Sequence, residues 1–158
     1  MKAVTIKELK QELNTRSPKE VMDLCLRLVR FKKENKELLT YLLFEASYEE
    51  GYVESVKEEI DEQFERVNTK SPYFTRKSMR AILKNTRKYI RYSKNKETEV
   101  ELLLYFCKKM KNFKPSIEYN KRLQSMFDKL IESISKKVSV LHEDLQLDFE
   151  MEIDTLLS

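Results

Sequence analysis

Glycine is nearly missing from this chain. Gly51 is the only one among 158 residues, and the prolines are Pro18, Pro72 and Pro115. Tight hairpins, bulges and left-handed loops draw on these residue types, so their shortage argues against a sheet-rich fold. It also removes the glycine-dependent phosphate loops, the dinucleotide fingerprint and the G-x-S-x-G elbow. Histidine is equally scarce, with His142 alone. A di-iron carboxylate bundle takes two Glu-x-x-His motifs, which one histidine cannot supply. A zinc site from His142, Cys25 and Cys107 would need three distant helices to converge. The two cysteines sit inside apolar runs and read as small buried hydrophobes, not as a disulfide. Apolar surroundings also disfavour a thiolate, and with it a Cys25–His142 nucleophilic pair. No apolar run approaches the length of a membrane span, and the first residues, MKAVTIKELK, lack a signal-peptide core. The expectation from this inventory is a cytoplasmic, non-enzymatic protein with no cofactor and no metal.

What the chain has in quantity is charge, at 37 %, carried largely by the Lys and Glu of amphipathic helices. Apolar periodicity and breakers predict about seven helices. The first covers residues 5–13, with Ile6, Leu9 and Leu13 on one face. Ser17-Pro18-Lys19-Glu20 reads as a capping box with proline at the first helical position, opening a helix that runs to Phe31. A polar turn over 32–35 precedes a third helix to about Tyr48. Its apolar circumference predicts a buried central position. Gly51 then suits a cap or tight turn. A fourth helix over 52–67 places Val53, Val56, Ile60 and Phe64 opposite a row of carboxylates. Ser71-Pro72 opens a fifth, to about Ser93, and a sixth spans 97–112.

From Leu123 to Leu156 one apolar stripe runs in steps of three and four. This predicts a long C-terminal helix, about 60 Å if unbroken, with a bend near His142-Glu143-Asp144 as the alternative. An uninterrupted stripe would also allow a homodimer through that helix.

Residues 29–37 and 90–97 echo one another, each a helix end, a short polar turn and the start of an apolar helix. The pattern predicts one all-α domain over 1–158. Within it, stacked antiparallel helical hairpins would form a HEAT- or TPR-like right-handed array or an irregular bundle. The segment 24–64 (LCLRLVRFKKENKELLTYLLFEASYEEGYVESVKEEIDEQF) is similar to a small uncharacterised group of bacterial all-helical proteins. That resemblance implies a bacterial source and a helical fold, and it implies no activity.

Charge is segregated along the chain. Residues 1–65 carry 11 basic and 15 acidic side chains, residues 66–122 carry 17 and 4, and residues 123–158 carry 3 and 8. In the basic block Arg76, Arg80, Lys84, Arg87 and Arg91 fall within an arc of about 80° on one helix, with Lys77 and Lys88 beside it. Aligned cations repel, so they are best tolerated opposite anions. Three sources could supply those anions. One is the protein's own acidic faces, on the fourth or the C-terminal helix. The second is nucleic-acid phosphate, with Tyr89, Tyr92, Phe113 and Tyr119 available to stack bases. The third is an acidic protein partner. The acidic pairs Glu54/Glu58, Glu58/Glu62 and Asp61/Glu65 have cation-binding spacing but no accompanying loop, and read as a solvated face. The leading expectation is a helical interaction or scaffold protein with an unknown protein partner. The alternative is sequence-indifferent binding of nucleic acid through Arg76, Arg80, Lys84, Arg87, Lys88 and Arg91.

Overall fold

The computed structural model describes Met1–Ser158 throughout. The chain is all-helical, with eight α-helices and no strand, and it divides into two compact units, Met1–Phe44 and Glu45–Ser158.

The first unit holds α1 (Ile6–Leu13), α2 (Pro18–Phe31) and α3 (Lys33–Thr40), and its chain passes into a π-helical turn, Tyr41–Glu45. Thr5 caps α1 in a full capping box with Glu8. At α2 only the Ser17 half of the box forms: the Glu20 N–H donates to the Ser17 hydroxyl, with Pro18 in the first turn. The break between α2 and α3 is a single extended residue, Lys32, so the predicted polar turn over 32–35 is mostly helix. Asn35 Nδ2 donates to Leu28 O across the joint at 2.7 Å. The buried central position expected for the third helix is not realised. Tyr41 is the one buried side chain of this segment, while Leu43 is 65 % and Phe44 74 % exposed. An apolar circumference states that a helix needs cover. It does not state that its own chain supplies it.

In the second unit the central element is α6 (Lys96–Lys111), which packs against α4 (Glu49–Glu65), α5 (Pro72–Ser93), α7 (Lys121–Val138) and α8 (Glu143–Leu157). Its Val100, Leu102, Leu103, Leu104, Phe106, Cys107 and Met110 are all buried, covering most of the circumference. Phe106 meets Phe64 of α4 with ring centroids 5.5 Å apart. Gly51 lies in the first turn of α4 rather than in a connecting turn, because α4 begins at Glu49, three residues before the predicted start. A Cβ there would meet the ring of Tyr48, so any larger residue requires that exposed ring to move aside. Glu49 accepts from the hydroxyls of Ser93 and Thr98, tying the start of α4 to the α5–α6 joint.

That joint turns on Lys94, at φ 57° in the left-handed region, followed by Asn95, whose Oδ1 accepts from the N–H groups of Glu97 and Thr98. A left-handed conformation costs an L-residue about 1–2 kcal/mol, part of which glycine returns as unfolded-state entropy. Lys94→Gly is therefore expected to stabilise the protein by roughly 0.5–1 kcal/mol, read as a higher urea midpoint.

The expected long C-terminal helix is two helices. α7 ends at Val138 and α8 starts at Glu143, with His142 as its N-cap. Acidic Glu143 and Asp144 favour a helix start at that point, and Gln146 Nε2 donates to Ser139 O and Leu141 O, satisfying carbonyls the break leaves open. The apolar stripe runs through both helices, with Phe127, Ile134, Val138, Phe149 and Ile153 all buried. It is used in the core.

Candidate functional site

The site is built on α5 and α7. Ser71 caps α5 and Pro72 occupies its first turn, so the helix starts in a fixed register. Met79, Ile82, Leu83, Thr86 and Ile90 are buried, which turns Arg80, Lys84, Arg87 and Arg91 outward in one row. α7 is started by Asn120, whose Oδ1 accepts from the Leu123 N–H. With Leu123, Phe127, Leu130 and Ile134 in the core, Lys121, Arg122 and Lys129 face the row on α5. Both helices pack on α6, and Asn120 Nδ2 lies 3.4 Å from Pro72 O, bringing their first turns together.

Between them runs an open groove of about 790 Å³. Four cations of α5 and three of α7 line it, no carboxylate does, and Leu83, Met126 and Leu130 contribute an apolar floor. The protein's own acid does not reach these cations. Asp61 of α4 pairs with Lys109 of α6 at 2.9 Å, and Glu54 and Glu101 share Lys57, each at 2.7 Å. Glu62 pairs with Arg66, and Glu152 of α8 pairs with Lys108 of α6. The ion pairs that α4 and α8 carboxylates make thus go to Lys108 and Lys109 of α6, to Lys57 and to Arg66, and the groove cations are in no ion pair. Two charges 6 Å apart repel by about 0.7 kcal/mol even in water, so seven gathered in one groove are held together at a cost.

Of the six cations read from the sequence, Arg80, Lys84, Arg87 and Arg91 line the groove. Arg76 and Lys88 do not: Arg76 lies over the Tyr73 ring at 5.6 Å and Lys88 over the Tyr89 ring at 4.8 Å. Sequence reasoning missed Lys121, Arg122 and Lys129. The four-residue spacing of Lys121, Ser125, Lys129 and Ser133 marks a polar helix edge, but nothing in that spacing says the edge faces α5.

The aromatics offered for base stacking are elsewhere. Tyr92 is buried with Tyr89 edge-on to it at 6.0 Å, Phe113 packs against Phe64 at 6.2 Å, and none of the four lines the groove. The chemistry available is therefore anion contact along two cationic walls.

Compared with known proteins, the chain matches no family model, no curated protein and no solved structure.

No group of three His, Cys, Asp or Glu side chains is placed to hold a metal ion, and no helix is long and apolar enough to cross a membrane. His142 accepts from the Asp144 N–H in capping α8. Tyr105 is pushed up to about 12 by burial and by its hydrogen bond to Asp61.

The two cysteines differ: Cys25 is exposed, against the expectation of burial, and Cys107 is buried. Burial pushes the Cys107 thiol from 9.0 up to about 12. The unfolded chain ionises this thiol first, so its contribution to stability is intact below pH 9.0 and is lost as pH rises toward about 12. Under native conditions a thiol reagent is expected to titrate Cys25 alone. Wild type is expected to lose more stability than Cys107→Ala on alkaline titration, measured by urea unfolding.

Proposed function

We propose that Glu45–Ser158 binds the phosphate backbone of nucleic acid without reading base sequence, through the groove between α5 and α7. One observation carries this: seven cations and no carboxylate line a single groove, and none of the seven is neutralised within the chain. Backbone contacts position a nucleic acid but carry no sequence information, and neither a recognition motif nor a stacking platform lies in the groove. The protein has no assigned chemistry in this reading. It is a non-enzymatic binder.

A labelled mixed-sequence oligonucleotide, single- and double-stranded, tests it by fluorescence anisotropy across salt concentrations. Seven phosphate contacts on a duplex predict a slope of log K against log salt near −6. Affinity is then expected to fall by roughly 10³–10⁴ between about 50 and 200 mM salt, and scrambling the sequence should leave it unchanged. Absence of binding at the lower salt, or binding indifferent to salt, would refute the proposal.

A second reading, a helical interaction protein, is supported by a different observation in Met1–Phe44. Leu24, Leu26, Leu28, Phe31, Leu42 and Phe44 are all exposed on α2 and the segment after α3, a concentration of apolar surface of the kind found at protein–protein contacts. The recurrence of helix, short break and apolar helix at 29–37 and 90–97 supports a divergent hairpin repeat as the scaffold for both readings.

A further inference from the structure

The second unit is neutral in sum and polarised in space. Glu45–Ser158 carries 21 basic and 21 acidic side chains, yet the groove between α5 and α7 is purely cationic. The complement lies on α8. That helix has six carboxylates, Glu143, Asp144, Asp148, Glu150, Glu152 and Asp154, and no cation. Glu152 pairs with Lys108, and Asp144 lies 3.6 Å from the His142 ring. With Phe149, Ile153 and Leu156 buried, a 100° advance per residue puts Leu147 and Met151 at the middle of the outward face. Asp144 and Asp154 flank them, and Asp148 and Glu150 sit at the edges. Leu147 and Met151 are each 61 % exposed.

The outward face of α8 is thus an apolar centre bordered by carboxylates, with Lys108 and Lys111 of α6 beside its Asp148 edge, and the groove is an apolar floor with cationic walls. α4 is also acidic, but it exposes no large apolar side chain, and Asp61, Glu54 and Glu62 are already paired. We infer that the outward face of α8 is an interaction surface whose partner is the α5–α7 groove of a second copy of this chain. α8 is held by its inner face against α6 and α7, so its outward face is presented to another molecule. Joining a groove to a different surface makes a head-to-tail contact, which propagates or closes into a ring. The inference rests on the groove being an anion-binding surface. It adds that the protein's own second copy and nucleic acid compete for it.

Sedimentation velocity of the full chain tests this with two variants. One is Glu150→Lys/Asp154→Lys, which reverses α8 and leaves the groove intact. The other is Arg87→Glu/Arg91→Glu, which reverses the groove and leaves α8 intact. All four positions are exposed and outside the core, and circular dichroism confirms that each variant is folded. Wild type is expected to show a sedimentation coefficient that rises with protein concentration at low salt. It should collapse to monomer at about 0.5 M salt, where the screening length is roughly 4 Å. Each variant alone is expected to remain monomeric. Their equimolar mixture should associate, because one intact groove then meets one intact α8.

A monomeric wild type at low salt overturns the inference, as does a mixture that stays monomeric. Association that survives high salt and persists in both variants would be apolar in origin and would equally overturn it. The α8 variant keeps its groove and should bind an oligonucleotide at least as well as wild type. A wild type that binds the oligonucleotide but does not self-associate therefore defeats this inference and not the proposed function, and a wild type that does neither defeats the two together.

Discussion

Arg80→Glu, Arg87→Glu and Arg91→Glu combined are expected to abolish oligonucleotide binding, with a loss of at least about a thousandfold at low salt. Each phosphate contact contributes close to one unit to the salt slope. Three lost contacts at about 50 mM salt therefore remove roughly three decades of affinity before any repulsion from the new carboxylates is counted. The reversal takes the groove from seven positive charges to a net of one. A matched control carries the same change in total charge elsewhere: Lys2→Glu, Lys7→Glu and Lys19→Glu, all exposed in the first unit. If net charge alone drew the polyanion in, the two triple variants would lose affinity equally, and the groove would lose its special role. The groove variant should also be at least as stable as wild type, because the three arginines are outside the core and their mutual repulsion is removed. A drop in stability would mean that these side chains serve the fold, in contradiction to their exposure.

Phe106→Ala is expected to destabilise the protein by about 3–5 kcal/mol, against the 5–15 kcal/mol that hold a typical domain. Phe106 is fully buried in α6, the helix every other helix of the second unit touches, and it packs on Phe64. Truncation leaves a cavity at the junction of those helices, where no single neighbour can move in without pulling away from another. Phe44→Ala removes the same side chain from a position 74 % exposed, and should cost less than about 0.5 kcal/mol. Urea unfolding measures both. Comparable costs would mean that Phe44 is covered in solution, by a second copy or otherwise, and the first unit's apolar surface would then be an interface already in use.

Phe44 and Phe106 also show where reading the sequence stops. Both end a similar run, ELLTYLLF and ELLLYF, and both runs are apolar around most of a helix. Periodicity assigns each to a helix that must be covered. Only the packing of α4, α5, α7 and α8 around α6 makes the second one central, while the first stays open. The groove follows the same division. Arg80, Lys84, Arg87 and Arg91 were legible as one row because the spacing of residues on a single helix depends on nothing but the 3.6-residue turn. Arg76 shared that row and nevertheless lies outside the groove, over the Tyr73 ring.

By itself the sequence determined the helical class, through its want of glycine and its apolar periods. It determined the helix starts at Ser17 and Ser71, through side chains that bond their own next turn, and the cationic row on α5. Tertiary structure decided what depends on neighbours distant in the chain. It divided the C-terminal stripe at His142, paired Asp61 of α4 with Lys109 of α6, and set Lys121, Arg122 and Lys129 across from α5. Local rules act over three or four residues, and a groove with two cationic walls is made by helices whose facing residues lie some forty positions apart.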